Sequence, residues 1–130
     1  MYVPSLVSAV SIAAILFYGL IGIQALRRPA RLLKGLDLLA NTPSARNEIR
    51  AVYGGMPIAI SLLLAESLVH TATAPVVVTV IATITGGMAA GRLFSAIVDR
   101  DFAAAPRLWF ALELVLAVAM RTAVGLQSSS

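Results

Sequence analysis

Four long apolar stretches, Pro4 to Leu26, Ile49 to His70, Pro75 to Val98 and Pro106 to Leu126, take up almost the whole of this chain. A bilayer core of about 30 Å is crossed by roughly 20 helical residues, and each stretch reaches that length. Backbone N–H and C=O groups find no partner in lipid, so a spanning segment must be a helix or belong to a closed barrel. The β-branched run "APVVVTVIATIT" would favour a strand in water. The chain is too short for a barrel, however, and its stretches do not alternate in polarity. The expected fold is therefore all-α: a four-helix transmembrane bundle, with one integral membrane domain over residues 1–130.

Composition excludes several other classes. With 59% hydrophobic and 12% charged residues, the chain is too apolar for a soluble domain of its length. The absence of cysteine and the single histidine leave no disulfide and no His/Cys metal cage. A formal charge of +4 would suggest nucleic acid in a soluble protein. Here the basic residues sit beside apolar spans, where topology and anionic headgroups account for them, so no nucleic-acid partner is expected. Lys34 is the only lysine among ten basic residues, a bias that points to a high-GC bacterial genome and thus to a bacterial inner membrane.

The same residues set an orientation. Arg27, Arg28, Arg31, Lys34 and Arg46 lie between the first and second spans, and Arg100 and Arg107 between the third and fourth. The segments "MYVPS", "TATAP" and "LQSSS" carry no lysine or arginine. The positive-inside rule then places both basic loops in the cytoplasm and both termini outside. "MYVPSLVSAV" lacks the basic n-region of a cleavable signal, so the first span is expected to stay.

Within the first loop, "RLLKGLDLLAN" sets Leu32, Leu33, Leu36 and Leu39 at helical spacing, which predicts a short amphipathic helix in the membrane interface. A plain polar connector is the alternative, because Gly35 and Leu38 break the pattern. Thr42 can cap a following helix with Pro43 at its first position, so the second span should begin in the headgroups.

Charged residues inside a bilayer cost about 2.5–3.5 kcal/mol each at mid-depth on insertion scales, so each calls for a partner or a purpose. At 1.5 Å per residue, Glu66 and Arg121 both stand more than roughly 20 Å above the cytoplasmic start of their spans. Arg92 and Glu113 both stand about 9 Å from that boundary by the same rise. Two ion pairs are expected: an outer one of Glu66 with Arg121, within reach of His70, and an inner one of Arg92 with Glu113, shared with Arg50. Pinning helix register is one reading of these pairs; a proton or ion relay, or a polar headgroup site, is the other.

Arg50 and Tyr53 sit at the start of the second span, where a guanidinium can snorkel and a phenol can anchor. Gly54 and Gly55 remove side chains where another helix must approach, and Pro57 can kink the helix. Gly87 and Gly91 form a GxxxG in the third span, a second close-packing face. Trp109 reads as an aromatic belt residue.

Taken together, "NEIRAVYGG" opening the second span, "GRLFSAIVD" closing the third and the glutamate of "LEL" in the fourth resemble a family of small four-helix bacterial membrane proteins, known only as a domain of unknown function. The pattern falls on Asn47, Glu48, Arg50, Tyr53, Gly54, Gly55, Gly91, Arg92, Ser95, Asp99 and Glu113. Arg100 stands where the pattern leads one to expect a glycine. The resemblance covers most of the chain after residue 40 and implies the fold and the inner polar cluster, but no activity.

No Ser/His/Asp set, phosphate loop or metal-ligand spacing is present, so no catalytic, cofactor or metal residues are expected. The leading expectation is a non-enzymatic accessory subunit whose small-residue faces dock on a larger inner-membrane complex, with a lipid-uptake transporter as the first host to test. Its partners would be membrane lipids and larger integral membrane subunits, with homo-oligomers left open. The alternative is an independent lipid-binding or ion-coupled carrier that uses Arg92 and Glu113.

Overall fold

The computed structural model describes residues 5–39 and 42–129, so Pro4, Ala40 and Asn41 lie outside the described residues. The described elements are all helical: α1 (Leu6–Arg27), α2 (Pro29–Gly35), α3 (Pro43–Ile49), a π-helical turn (Arg50–Gly55), α4 (Met56–Val69), α5 (Ala74–Asp99) and α6 (Ala104–Ser128). α3, the π turn and α4 run on as one helix, Pro43–Val69. That helix, α1, α5 and α6 are each long and apolar enough to cross a membrane. The protein is a multi-pass membrane protein built as a helical bundle.

The helix starts follow the capping chemistry. Thr42 Oγ1 accepts a hydrogen bond from the Ala45 N–H at 3.1 Å, and Pro43 takes the first turn, where its missing N–H costs nothing. The second spanning helix therefore begins well before its apolar part. Ser5 caps α1 in the same manner through the Ser8 N–H.

α2 is shorter than the leucine pattern suggests, and only part of that pattern is buried. Leu32 and Leu33 pack inward, whereas Leu39 is 83% exposed and lies beyond the helix. The chain turns at Asp37, whose φ is +58°, while the Leu38 N–H reaches back to the Leu33 carbonyl at 2.9 Å. This is a Schellman-type stop, in which aspartate takes the left-handed position more readily than most side chains. It ends the helix before Leu39 can join the buried face.

Two helix pairs make the bundle. α1 packs along α4 and the π turn, and α5 packs along α6. Contacts of α1 with α6 and of α4 with α5 join the pairs, so the order around the bundle is α1, α4, α5, α6. α4 and α6 thus stand at opposite corners.

The crossing of α1 with the π turn is close because two glycines meet there. A Cβ on Gly22 would lie 2.7 Å from Ile58 Cγ1 and 2.9 Å from the Gly54 carbonyl oxygen. A Cβ on Gly54 would lie 2.7 Å from Leu26 Cδ2. Gly54 fulfils the expected packing role, and Gly22 is its unforeseen counterpart. Above the crossing, the Ser61 hydroxyl donates to the Ile15 carbonyl at 3.0 Å and further ties α4 to α1.

The π turn has a local cause. Pro57 cannot donate to the Tyr53 carbonyl four residues earlier, and its ring would crowd that group in a regular helix. The ladder slips by one residue, so the Met56 N–H bonds to the Ala51 carbonyl instead. Gly54 and Gly55 leave room for the wider turn.

Candidate functional site

The end of the bundle that carries α2, α3 and the α5–α6 connection also carries most of the basic residues, and it is here called the basic end. Between the two helix pairs at this end lies a cavity of about 630 Å³, within the range of roughly 300–1,000 Å³ usual for small-molecule sites. α1, α2, the π turn, α4, α5 and α6 all contribute to its wall.

Arg92 and Glu113 face this cavity as a forked ion pair. Arg92 Nε donates to Glu113 Oε2 at 2.8 Å, and Nη2 donates to Oε1 at 2.9 Å. The glutamate side chain is 1% exposed and the arginine 24%, so the carboxylate is sealed in while the guanidinium stays open to the cavity. Two parallel charge-assisted bonds orient both groups as well as neutralising them. Each lies on its helix's buried stripe: Arg92 continues the row Val78, Ile81, Thr85, Ala89 on α5, and Glu113 begins the row Ala117, Met120, Ala123 on α6.

Glu66 and Arg121 are not brought together. Both are exposed, they lie on the diagonal helices α4 and α6, and no ion pair joins them among the described residues. Equal depth is not sufficient. Glu66 precedes the buried Ser67 and Arg121 follows the buried Met120, and one residue turns a side chain about 100° around the helix. His70, also exposed, caps α4 through its N–H to the Glu66 carbonyl and does not bridge the two charges.

Arg50 turns away from Glu113. Its Nε donates to the Leu26 carbonyl at 3.3 Å, so it caps the last turn of α1, where a cation is favoured by the free carbonyls. Gly55 has only an ordinary contact near its missing Cβ, and Gly87 and Gly91 have nothing within 4 Å. Among the described residues no helix is closely packed on the GxxxG of α5, which lies off the buried stripe. Gly91 instead forms part of the cavity wall.

Sequence reading missed the aromatic character of the site. Phe17, Tyr18, Tyr53, Phe102 and Trp109 all line the cavity, five of the chain's eight aromatic residues. Phe17 contacts Tyr18 and Trp109 edge-on at ring-centroid distances of 5.2 and 6.3 Å, the preferred aromatic geometry. Trp109 is thus a wall residue as well as one near the boundary. The Tyr18 hydroxyl bonds to Thr85 Oγ1, and Thr85 in turn donates to the Ile81 carbonyl at 2.7 Å. This chain fixes the tyrosine ring at the inner edge of the site. The signal available beforehand was that Tyr53, Phe102 and Trp109 all fall near the basic loops; Phe17 and Tyr18, midway along α1, gave none.

At the rim, Asp99 accepts from the Ser95 hydroxyl at 3.1 Å, and Asp101 follows at the turn into α6. Arg100 between them has a φ of +53°, the left-handed conformation that glycine adopts without cost. The glycine expected at this position would fit the turn. Among the described residues no three His, Cys, Asp or Glu side chains gather as a metal site would require.

A family model, DUF4345, described as a domain of unknown function, matches residues 6–124. No curated protein and no solved structure matches the chain.

Proposed function

Given that the chain belongs to DUF4345, a family defined by a domain of unknown function, we propose that the protein is a non-enzymatic membrane protein that binds an amphiphilic molecule between its two helix pairs. The single observation that supports this most is the cavity of about 630 Å³ with a sealed carboxylate–guanidinium pair in an otherwise largely apolar, aromatic wall. An apolar wall takes the body of a ligand, and a few fixed polar groups orient it. The Arg92–Glu113 fork fills the second role. Its bidentate geometry and burial favour a held orientation over a relay, which needs a carboxylate free to take up and release a proton. The positive-inside rule assigns the cavity end to the cytoplasmic side of a bacterial inner membrane.

Gly91 provides the test. It lines the cavity, and a Cβ there meets nothing within 4 Å, so Gly91→Leu fills the space without disturbing the helices. Protein purified in a neutral detergent should retain a stoichiometric amphiphile by native mass spectrometry, and Gly91→Leu should lose it. Equal retention by both, or none by either, would remove this reading.

A second reading, an accessory subunit of a larger complex such as a lipid-uptake transporter, draws support from Gly87. Gly87 faces outward with open space at its Cβ position, a surface suited to close approach by another membrane helix.

A further inference from the structure

We infer that the molecule held in the cavity is a cationic amphiphile, with an ammonium headgroup at the rim and an apolar body along the aromatic wall. This rests on the cavity being a binding site, as proposed above, and specifies which chemistry it takes. The wall contains one cation, Arg92, and three carboxylates, Glu113, Asp99 and Asp101. The fork consumes Arg92 and Glu113 against each other. Asp99 and Asp101 are left at the rim, where Asp99 is oriented by a neutral hydroxyl rather than by a cation. The other arginines of the basic end lie outside the cavity wall. They can meet anionic headgroups of the surrounding leaflet, whereas in the wall itself carboxylates outnumber the cation three to one.

The aromatic rings point to the same class. Tyr53, Phe102 and Trp109 share this wall with the two rim aspartates, and the face of an aromatic ring attracts an ammonium group, most strongly when water is excluded. A phosphate or carboxylate headgroup would meet the two rim aspartates, and the charge of the wall's one cation is already balanced by Glu113. A neutral headgroup would leave the rim charges unused.

Trp109, the chain's only tryptophan, reports on occupancy from within the wall. In nanodiscs of zwitterionic lipid, its fluorescence is titrated with three homologues of equal chain length: a dodecyl trimethylammonium, a dodecyl alcohol and a dodecyl phosphate. The ammonium compound should bind about tenfold more tightly than either of the others. Asp99→Asn with Asp101→Asn, isosteric changes at exposed positions, should bring the three within about twofold of one another. A phosphate that binds as tightly as the ammonium compound, or a preference that survives the double substitution, would overturn the inference. If Gly91→Leu blocks all three ligands equally and no charge preference exists, the cavity reading stands and the cationic one fails. If Gly91→Leu changes none of the titrations, both fail.

Discussion

The two ends of the bundle solve the same packing problem in opposite ways. Toward the end that holds the α4–α5 turn, Leu64, Val78, Met120 and Ala123 have no exposed surface, and Val7 is 3% exposed. At the basic end the same four spanning helices stand apart around a cavity, with α2 folded in against it. One charged couple belongs to each end. Arg92 and Glu113 are locked together, α5 to α6, at the open end, while Glu66 and Arg121 face outward near the other. In lipid no hydrophobic effect draws helices together, so side-chain fit and polar contacts decide where they touch. Small and branched residues fill most of one end and leave a smaller cavity of about 220 Å³ there. At the other, aromatic side chains line the space between the pairs, and a salt bridge ties α5 to α6 within one of them.

The sharpest way to break this contrast is to cut the tie. Glu113→Leu leaves the Arg92 guanidinium without its partner and should cost about 3–5 kcal/mol, the usual penalty for removing one member of a buried pair. Unfolding in mixed micelles titrated with denaturing detergent measures it. Arg92→Met combined with Glu113→Leu should regain most of the loss. A single substitution as mild as the double one would mean that packing alone holds α5 against α6 at the open end.

Next in size is the glycine crossing of α1 with the π turn, which lies at the level of the cavity. Gly22→Ala places a methyl group against Ile58 and the Gly54 carbonyl and should destabilise by about 1–3 kcal/mol. Gly87→Ala enters open space on a helix surface and should stabilise by up to about 1 kcal/mol. The same unfolding assay should give the two opposite signs. The smallest effects belong to the outer charges: Glu66→Gln and Arg121→Gln should each change stability by under about 0.5 kcal/mol. Their double-mutant cycle should be additive within error, because no contact couples them.

Much of the fold was legible because length and hydropathy alone dictate spanning helices, and because Thr42 and Pro43 announce the second one. The inner pair was legible for a stronger reason than depth. Arg92 falls three residues after Ala89 and seven after Thr85, so it shares their face, and Glu113 shares that of Ala117 and Met120. Glu66 and Arg121 satisfy the depth test but fail this one, which the sequence also contained. Gly87 and Gly91 misled because a glycine spacing states that a helix can be approached, not that it is. The cavity itself was not legible, since no local pattern records how far apart two helix pairs stand. That distance depends on Phe17 meeting Trp109 from a segment more than ninety residues away in the chain.

The π turn at Arg50–Gly55 has a consequence for how the whole second span is drawn. It holds one residue more than the regular helix it interrupts, so α3 is out of phase with α4 by about 100°. A single helical wheel from Pro43 to Val69 therefore misassigns one half or the other. A deletion of one residue within "RAVYGG" would swing Asn47 and Glu48 by about 100° to a different side of the molecule. The short irregular stretch acts as a swivel, re-aiming the polar head of the span while its apolar body stays where the bilayer holds it.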